Sequence, residues 1–120
     1  FPERLHRPDS FEYAAAILRP FVREQCAWCV QTHADFQMVY YGHHVGADPN
    51  KRDRHKGNAY FDDCVAFCEY WDQASFDPEY DTLPLEFFRP MVREVFARTP
   101  YDPDVIRPGV RMPLRGSGNT

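Results

Sequence analysis

Apolar residues recur at helical spacing in four stretches of the chain, separated by polar segments rich in Pro and Gly. In the first, residues 9–18, Asp9 or Ser10 stands at a cap position and Glu12 follows Asp9 in capping-box register, with Tyr13, Ala14, Ile17 and Leu18 supplying a buried side. Pro20 suits a first helical position, so a second helix is expected from about Pro20 to His33. Its stripe is Val22, Cys26, Cys29 and Val30, which His33 continues. Residues 34–45 are too densely apolar and aromatic to fix a period, and continuation of the helix through them stays open. Residues 46–58, GADPNKRDRHKGN, read as a solvated surface loop rather than an anion site, because Asp48 and Asp53 partly balance its basic residues.

The third stretch predicts a helix from about Ala59 to Gln73, capped by Asn58, with Phe61, Cys64, Val65, Cys68 and then Asp72 facing inward. An ionised carboxylate on such a stripe costs several kcal/mol if it leaves water without a partner, or else it titrates to neutral. The pattern therefore demands a partner, a hydrogen-bond set or a cation for Asp72. In the fourth stretch Pro84 opens a helix whose inward face is expected to be Leu85, Phe88, Val92, Val95 and Phe96, kinked at Pro90 by the missing backbone donor. After Thr99 no period survives. Pro, Gly and Arg alternate with Val105, Ile106, Val110, Met112 and Leu114, which reads as an extended tail suited to lying along a protein partner. The fold class expected is all-α: a helical bundle over residues 9–97, between an N-terminal extension, residues 1–8, and a tail, residues 98–120.

Composition narrows the function classes. A chain of 120 residues supports one modest core. Its formal net charge of −4 argues against nucleic acid as a partner, since phosphate binding needs an excess of Lys and Arg on one face. No apolar run approaches the ~20 residues of a membrane span, so a soluble protein is expected. The sequence opens on Phe1 with no leader pattern behind it, which reads as a processed product or part of a longer reading frame. Cys26 with Cys29, and Cys64 with Cys68, form two close pairs within helical stretches. Ordinary buried thiols in a reducing compartment, cytosol or organelle matrix, are expected rather than a zinc or redox site.

His33 and Asp72 each end an apolar stripe and each precedes a break, so two helices can bring them to one spot at the edge of the core. Imidazole and carboxylate are metal ligands, and the alternative at such a spot is a His–Asp hydrogen bond within the core. His43 and His44 read as a helix-end surface pair whose rings diverge. Trp28 and Trp71 flank stripes and read as rim packing, or as walls of a pocket.

The segments CAWCVQTHADFQ and VAFCEYWDQASFDPEYDTLPLEFFRPMVREVF resemble the C-terminal half of HD-domain proteins, the all-helical superfamily of metal-dependent phosphohydrolases and diiron oxygenases. The resemblance covers roughly residues 9–97. It implies that His33, at the end of a late helix, and Asp72, on the last core helix, are metal ligands. It further implies that Gln37, Trp71 and Gln73 border a substrate pocket, and that the ion is iron, manganese or magnesium if further ligands stand upstream. The element WDQASFDP, ending in Asp77 and Pro78, matches a segment of the oxygenase-like branch. The departures are specific. No His of this chain precedes an Asp, Ser10 or Phe11 stands where the family has the His of a His-Glu pair, and Gln37 replaces a Lys that contacts a phosphonate substrate. Two readings follow: part of a metal-dependent hydrolase or oxygenase-like domain with its remaining ligands elsewhere, or a non-catalytic accessory subunit of a larger assembly. Whether the chain is an enzyme stays open at this point.

Overall fold

A computed structural model of the chain describes residues 9–73, 78, 79 and 81–106. The expectations for residues 1–8, for the Ala74–Asp77 portion of WDQASFDP and for the tail beyond Ile106 lie outside the described residues. The protein is all-α. Helix α1 spans Asp9–Leu18 and α2 spans Glu24–Val45. A 3-10 helix covers Lys51–His55. Helix α3, Phe61–Phe67, continues into a π-helical turn, Cys68–Asp72, and α4 spans Leu85–Phe96.

Helix α1 lies where its capping pattern puts it, but on a different face from the one expected. Ala15 is the residue buried completely, while Tyr13 and Ile17 point outward. The Ala14–Ala16 run lets α1 lie close on α2, where Ala27 is also fully buried. Arg19 Nη2 then donates to Gln31 Oε1 at 2.9 Å across the pair.

Helix α2 does not start at Pro20. The chain turns first, with Phe21 N donating to Leu18 O, and the Pro20 carbonyl accepts Tyr101 N at 2.6 Å. The helix then runs without a break through residues 34–45, which settles the open continuation. Its buried residues are Gln25, Ala27, Cys29, Thr32, Phe36, Gln37 and Gly42, so Cys26 and Val30 lie off the buried line. It stops at Gly46, whose φ of 71° is the left-handed conformation glycine adopts freely. One turn earlier, a Cβ on Gly42 would meet Ala47 O at 2.9 Å and Pro49 Cα at 3.1 Å, so a side chain there would push the following loop off the helix end.

The segment expected to be a wholly solvated loop sends His55 inward from its 3-10 turn. Its ring stacks on Phe36 at 5.7 Å and 11°, meets Trp28 edge-on at 5.5 Å, and its Nε2 donates to Asp35 Oδ2 at 2.9 Å. The turn thereby closes one side of the core. Asn58 is not the cap of α3. It forms a turn just ahead, its Oδ1 accepting Tyr60 N at 2.8 Å, and Tyr60 takes the cap position while its hydroxyl donates to Glu24 Oε1.

The core is Phe36 with Cys29, Cys64 and Cys68, ringed by Trp28, Tyr40, Phe61, Val65 and Phe67. All four cysteines are free, and Cys26 alone is only half-buried. Hydrogen bonding to Cys29, then to Cys68, and then burial push the Cys64 thiol well above its ordinary 9.0. Burial raises Cys26 in the same direction. The unfolded chain therefore releases these protons at lower pH than the folded one, and folding stability, complete below about pH 8.5, falls as pH rises past about 9. The urea midpoint is expected to hold from about pH 7 to 8.5 and then drop, and Cys64→Ala to show a shallower alkaline drop than the parent. An unchanged alkaline slope in that variant would remove Cys64 from the explanation.

The fourth helix departs furthest from expectation. Helix α4 continues through Pro90, yet the face expected to be inward is outward: Leu85 is 73% exposed, Val92 53%, Phe88 38% and Phe96 40%. Among the described residues, it is fastened at its C-terminal end. Phe96 meets Phe21 edge-on at 5.1 Å and Arg98 Nη1 donates to Phe21 O at 2.8 Å. The chain then turns at Asp102, whose carbonyl accepts both Val105 N and Ile106 N. Among the described residues no helix is long and apolar enough to cross a membrane.

Candidate metal centre

One turn of α2, His33 to Gln37, forms an edge against which the π-helical turn packs. The side chains at i and i+4 share a helix face, so His33 and Gln37 stand one above the other. The π geometry decides where Asp72 falls. Gln73 N bonds back five residues to Cys68 O at 2.8 Å, which inserts one residue into the turn and brings the Asp72 side chain round to α2. Cys68 Sγ donates to His33 O at 3.7 Å, fastening the start of the same turn to the same edge.

Asp72 is half-buried and finds a protein partner, as its place on an apolar stripe requires: its Oδ2 accepts Gln37 Nε2. The structure thus joins a residue expected as a ligand to one expected beside the pocket. His33 is held differently. Its Nδ1 lies 3.1 Å from Cys29 O and 2.9 Å from Val30 O. Carbonyls only accept, so Nδ1 is the donor and Nε2 is the ring nitrogen left for another contact. The ring packs edge-on between Phe11, at 4.6 Å, and Phe67, at 6.0 Å. No His33–Asp72 hydrogen bond is formed among the contacts of this edge; Gln37 stands in the role the alternative reading gave to His33.

Among the described residues, Gln37 Oε1 and Gln73 Oε1 are both buried without a hydrogen-bond partner. Native proteins leave few buried acceptors unsatisfied, and each such atom calls for a bound donor or ion. No Lys or Arg occurs between Arg23 and Lys51, nor between Lys56 and Arg89, so neither strand of sequence that builds the edge carries a cation of its own. Nε2 of His33, the Asp72 carboxylate and the Gln37 carbonyl oxygen are donors of the kind that divalent ions take. The Nδ1–H to carbonyl bond is also the arrangement that orients a histidine whose other nitrogen binds metal. By type these donors suit a divalent ion, but among the described residues no three His, Cys, Asp or Glu side chains converge into a group that would hold one.

The remaining candidates separate from this edge. Trp71, half exposed, lies at the rim beside Asp72, while Trp28 belongs to the core. His43 and His44 are both exposed at the end of α2, as expected, but their rings do not diverge: the centroids lie 3.9 Å apart. The π turn and the inward His55 are the features that sequence reasoning missed. A cleft of about 290 Å³ on another face of α2 is bordered by Glu12, Gln31, Asp35, Lys51 and Arg54, with charges of both signs. Comparison of the chain with protein-family models, curated proteins and solved structures returns no match.

Proposed function

We propose that the protein is part of an HD-type metal-binding domain, of the metal-dependent phosphohydrolase or oxygenase-like kind, in which His33 and Asp72 are ligands to one divalent ion. What supports the reading is Gln37 Oε1, buried and without a hydrogen-bond partner among the described residues, on the side chain whose Nε2 binds the Asp72 carboxylate. Further ligands come from a segment outside the described residues, on this chain or on another. When bound, the ion supplies Lewis-acid activation of a water for phosphoester hydrolysis, or a site for dioxygen. The chain's own residues do the positioning. Two backbone carbonyls hold His33 Nδ1, Gln37 orients Asp72, and Phe11 and Phe67 fix the His33 ring by edge-on contacts.

A second reading, a non-catalytic accessory subunit, draws support from Phe11. Its ring packs on His33 near the place where the resemblance puts a ligand histidine. Elemental mass spectrometry on the purified protein separates the two readings. Near-stoichiometric iron, manganese or another divalent metal, reduced at least tenfold in both His33→Ala and Asp72→Ala, is the expected result. Absence of metal from the parent protein, after purification without chelators and dialysis against each of these ions, favours the accessory reading.

A further inference from the structure

We propose that the cleft walled by α1, α2 and the 3-10 turn binds a small zwitterion whose ammonium and carboxylate are joined by a short hydrocarbon chain. The cleft holds about 290 Å³, at the lower end of the range for small-molecule sites, so its ligand is compact. Helix α1 contributes Glu12, α2 contributes Asp35, and the 3-10 turn contributes Lys51 and Arg54. Residues three apart eclipse in a 3-10 helix, so the two cations stand one above the other on the same side of the turn. Phe11 and Ala34 add an apolar part to the lining.

The pairing of these charges decides the ligand. Asp35 Oδ2 accepts His55 Nε2 at 2.9 Å and lies 3.8 Å from Arg54 Nε, so this acid and this guanidinium answer each other. Glu12 and Lys51 are left over: among the described residues neither side chain forms an ion pair or a hydrogen bond, although both line the same cleft. A free anion drawn to Lys51 would also face Glu12, and a free cation drawn to Glu12 would also face Lys51. A molecule carrying both charges meets each wall with its opposite, and the repulsion that turns away the single charges gives the selectivity. Gln31, whose Oε1 is taken by Arg19 Nη2, keeps its amide hydrogens for the carboxylate. The hydrocarbon between the two charges covers Phe11 and Ala34, which sets the ligand apart from a bare ion pair. The cleft uses none of His33, Gln37 and Asp72, so the proposal stands apart from the metal reading.

Titration of the ¹⁵N-labelled full chain at low ionic strength with β-alanine, 4-aminobutyrate and 6-aminohexanoate, followed by NMR, tests it. At least one of the three is expected to shift the side-chain amide of Gln31 and the backbone amides of Ala34 and Asp35, with a dissociation constant on the order of 1 mM. The carboxylate and the amine of the same chain length, each carrying one of the two charges, are expected to bind at least about fivefold more weakly. Glu12→Gln is expected to bring the carboxylate to within about twofold of the zwitterion, and Lys51→Gln to do the same for the amine. Both positions are exposed, and the comparison of probes on the parent protein decides the matter even if a variant loses its fold. No shift of these amides by any of the three up to about 20 mM would overturn the proposal. A carboxylate or an amine that binds the parent as tightly as the zwitterion, or variants that leave the difference unchanged, would overturn it as well.

Discussion

Phe36→Ala is expected to destabilise the protein by about 3–5 kcal/mol, the largest stability loss of any single substitution in this fold. Phe36 is fully buried and sits where three elements meet. Its ring lies 5.2 Å from Phe61 on α3, 5.7 Å from His55 on the 3-10 turn and 5.8 Å from Trp28 two turns back on α2. Removing it empties the centre of the Cys29, Cys64 and Cys68 cluster and strips His55 of the surface that holds it inward. Few side chains share the load, because among the described residues the fully buried large ones are Phe36, Gln25, Cys64 and Cys68. Against a total stability of roughly 5–15 kcal/mol, a loss of this size leaves a marginal fold and lowers the melting temperature by more than about 10 °C. Phe36→Leu, which keeps most of the volume, is expected to cost less than about 1.5 kcal/mol. Urea unfolding followed by tryptophan fluorescence measures both. A Phe36→Ala loss below about 1 kcal/mol would mean that the core lies elsewhere.

The second large effect concerns Asp72. Asp72→Ala is expected to cost about 1–3 kcal/mol without added metal, because Gln37 Nε2 loses its acceptor and joins Gln37 Oε1 as a buried polar atom with no partner. Replacing both residues, as in Gln37→Met with Asp72→Leu, is expected to cost less than the sum of the single changes, with a coupling of about 0.5–3 kcal/mol. The metal reading adds a condition that a purely structural pair lacks. Saturating divalent ion stabilises the parent by an amount set by the ratio of its concentration to the dissociation constant, about 2.7 kcal/mol at a hundredfold excess, and Asp72→Ala abolishes that gain. Gln37→Glu discriminates further. With an ion present the second carboxylate is a ligand and the gain grows, whereas without one two carboxylates face each other and stability falls.

Much of this arrangement is readable from the chain before any fold is known, and the physical reasons for the rest differ from element to element. Helix α1 is legible because its start is written in local chemistry, Asp9 and Glu12, which needs no tertiary partner. The inward turn of Cys64 and Cys68 follows from spacing alone. Asp72 is legible as an acid that must find a partner, since burial cost does not depend on which partner is found. Gln37 as that partner is not legible, because the contact depends on one extra residue in the Cys68–Asp72 turn and local sequence carries no mark of a π turn. His55 is hidden for a related reason: its charged neighbours Arg52, Asp53, Arg54 and Lys56 read as solvent, while the ring is drawn in by Phe36 and Trp28 from a distant part of the chain. Helix α4 shows the limit of periodicity. Its pattern states that one face seeks cover, and says nothing of whether the cover comes from within the fold.

The same limit applies to the proposed metal site. The apolar stripes single out His33 and Asp72, but the break expected after His33 is absent, since α2 runs on to Val45, and the structure draws Asp72 to the His33–Gln37 edge through Gln37. Phe11, by contrast, takes a position on the His33 ring that a first-turn residue of α1 reaches only because the Ala14–Ala16 run lets the two helices close together.

Substoichiometric Mn²⁺ added to the ¹⁵N-labelled protein, with amide signals followed by NMR, tests the central claim most directly, because paramagnetic broadening reports proximity even when affinity is weak. The side-chain amides of Gln37 and Gln73 and the backbone amides of His33 and Asp72 are expected to broaden first, and to stay sharp in Asp72→Ala. Broadening centred on His43 and His44, or none near Gln37, would contradict a divalent ion on this edge.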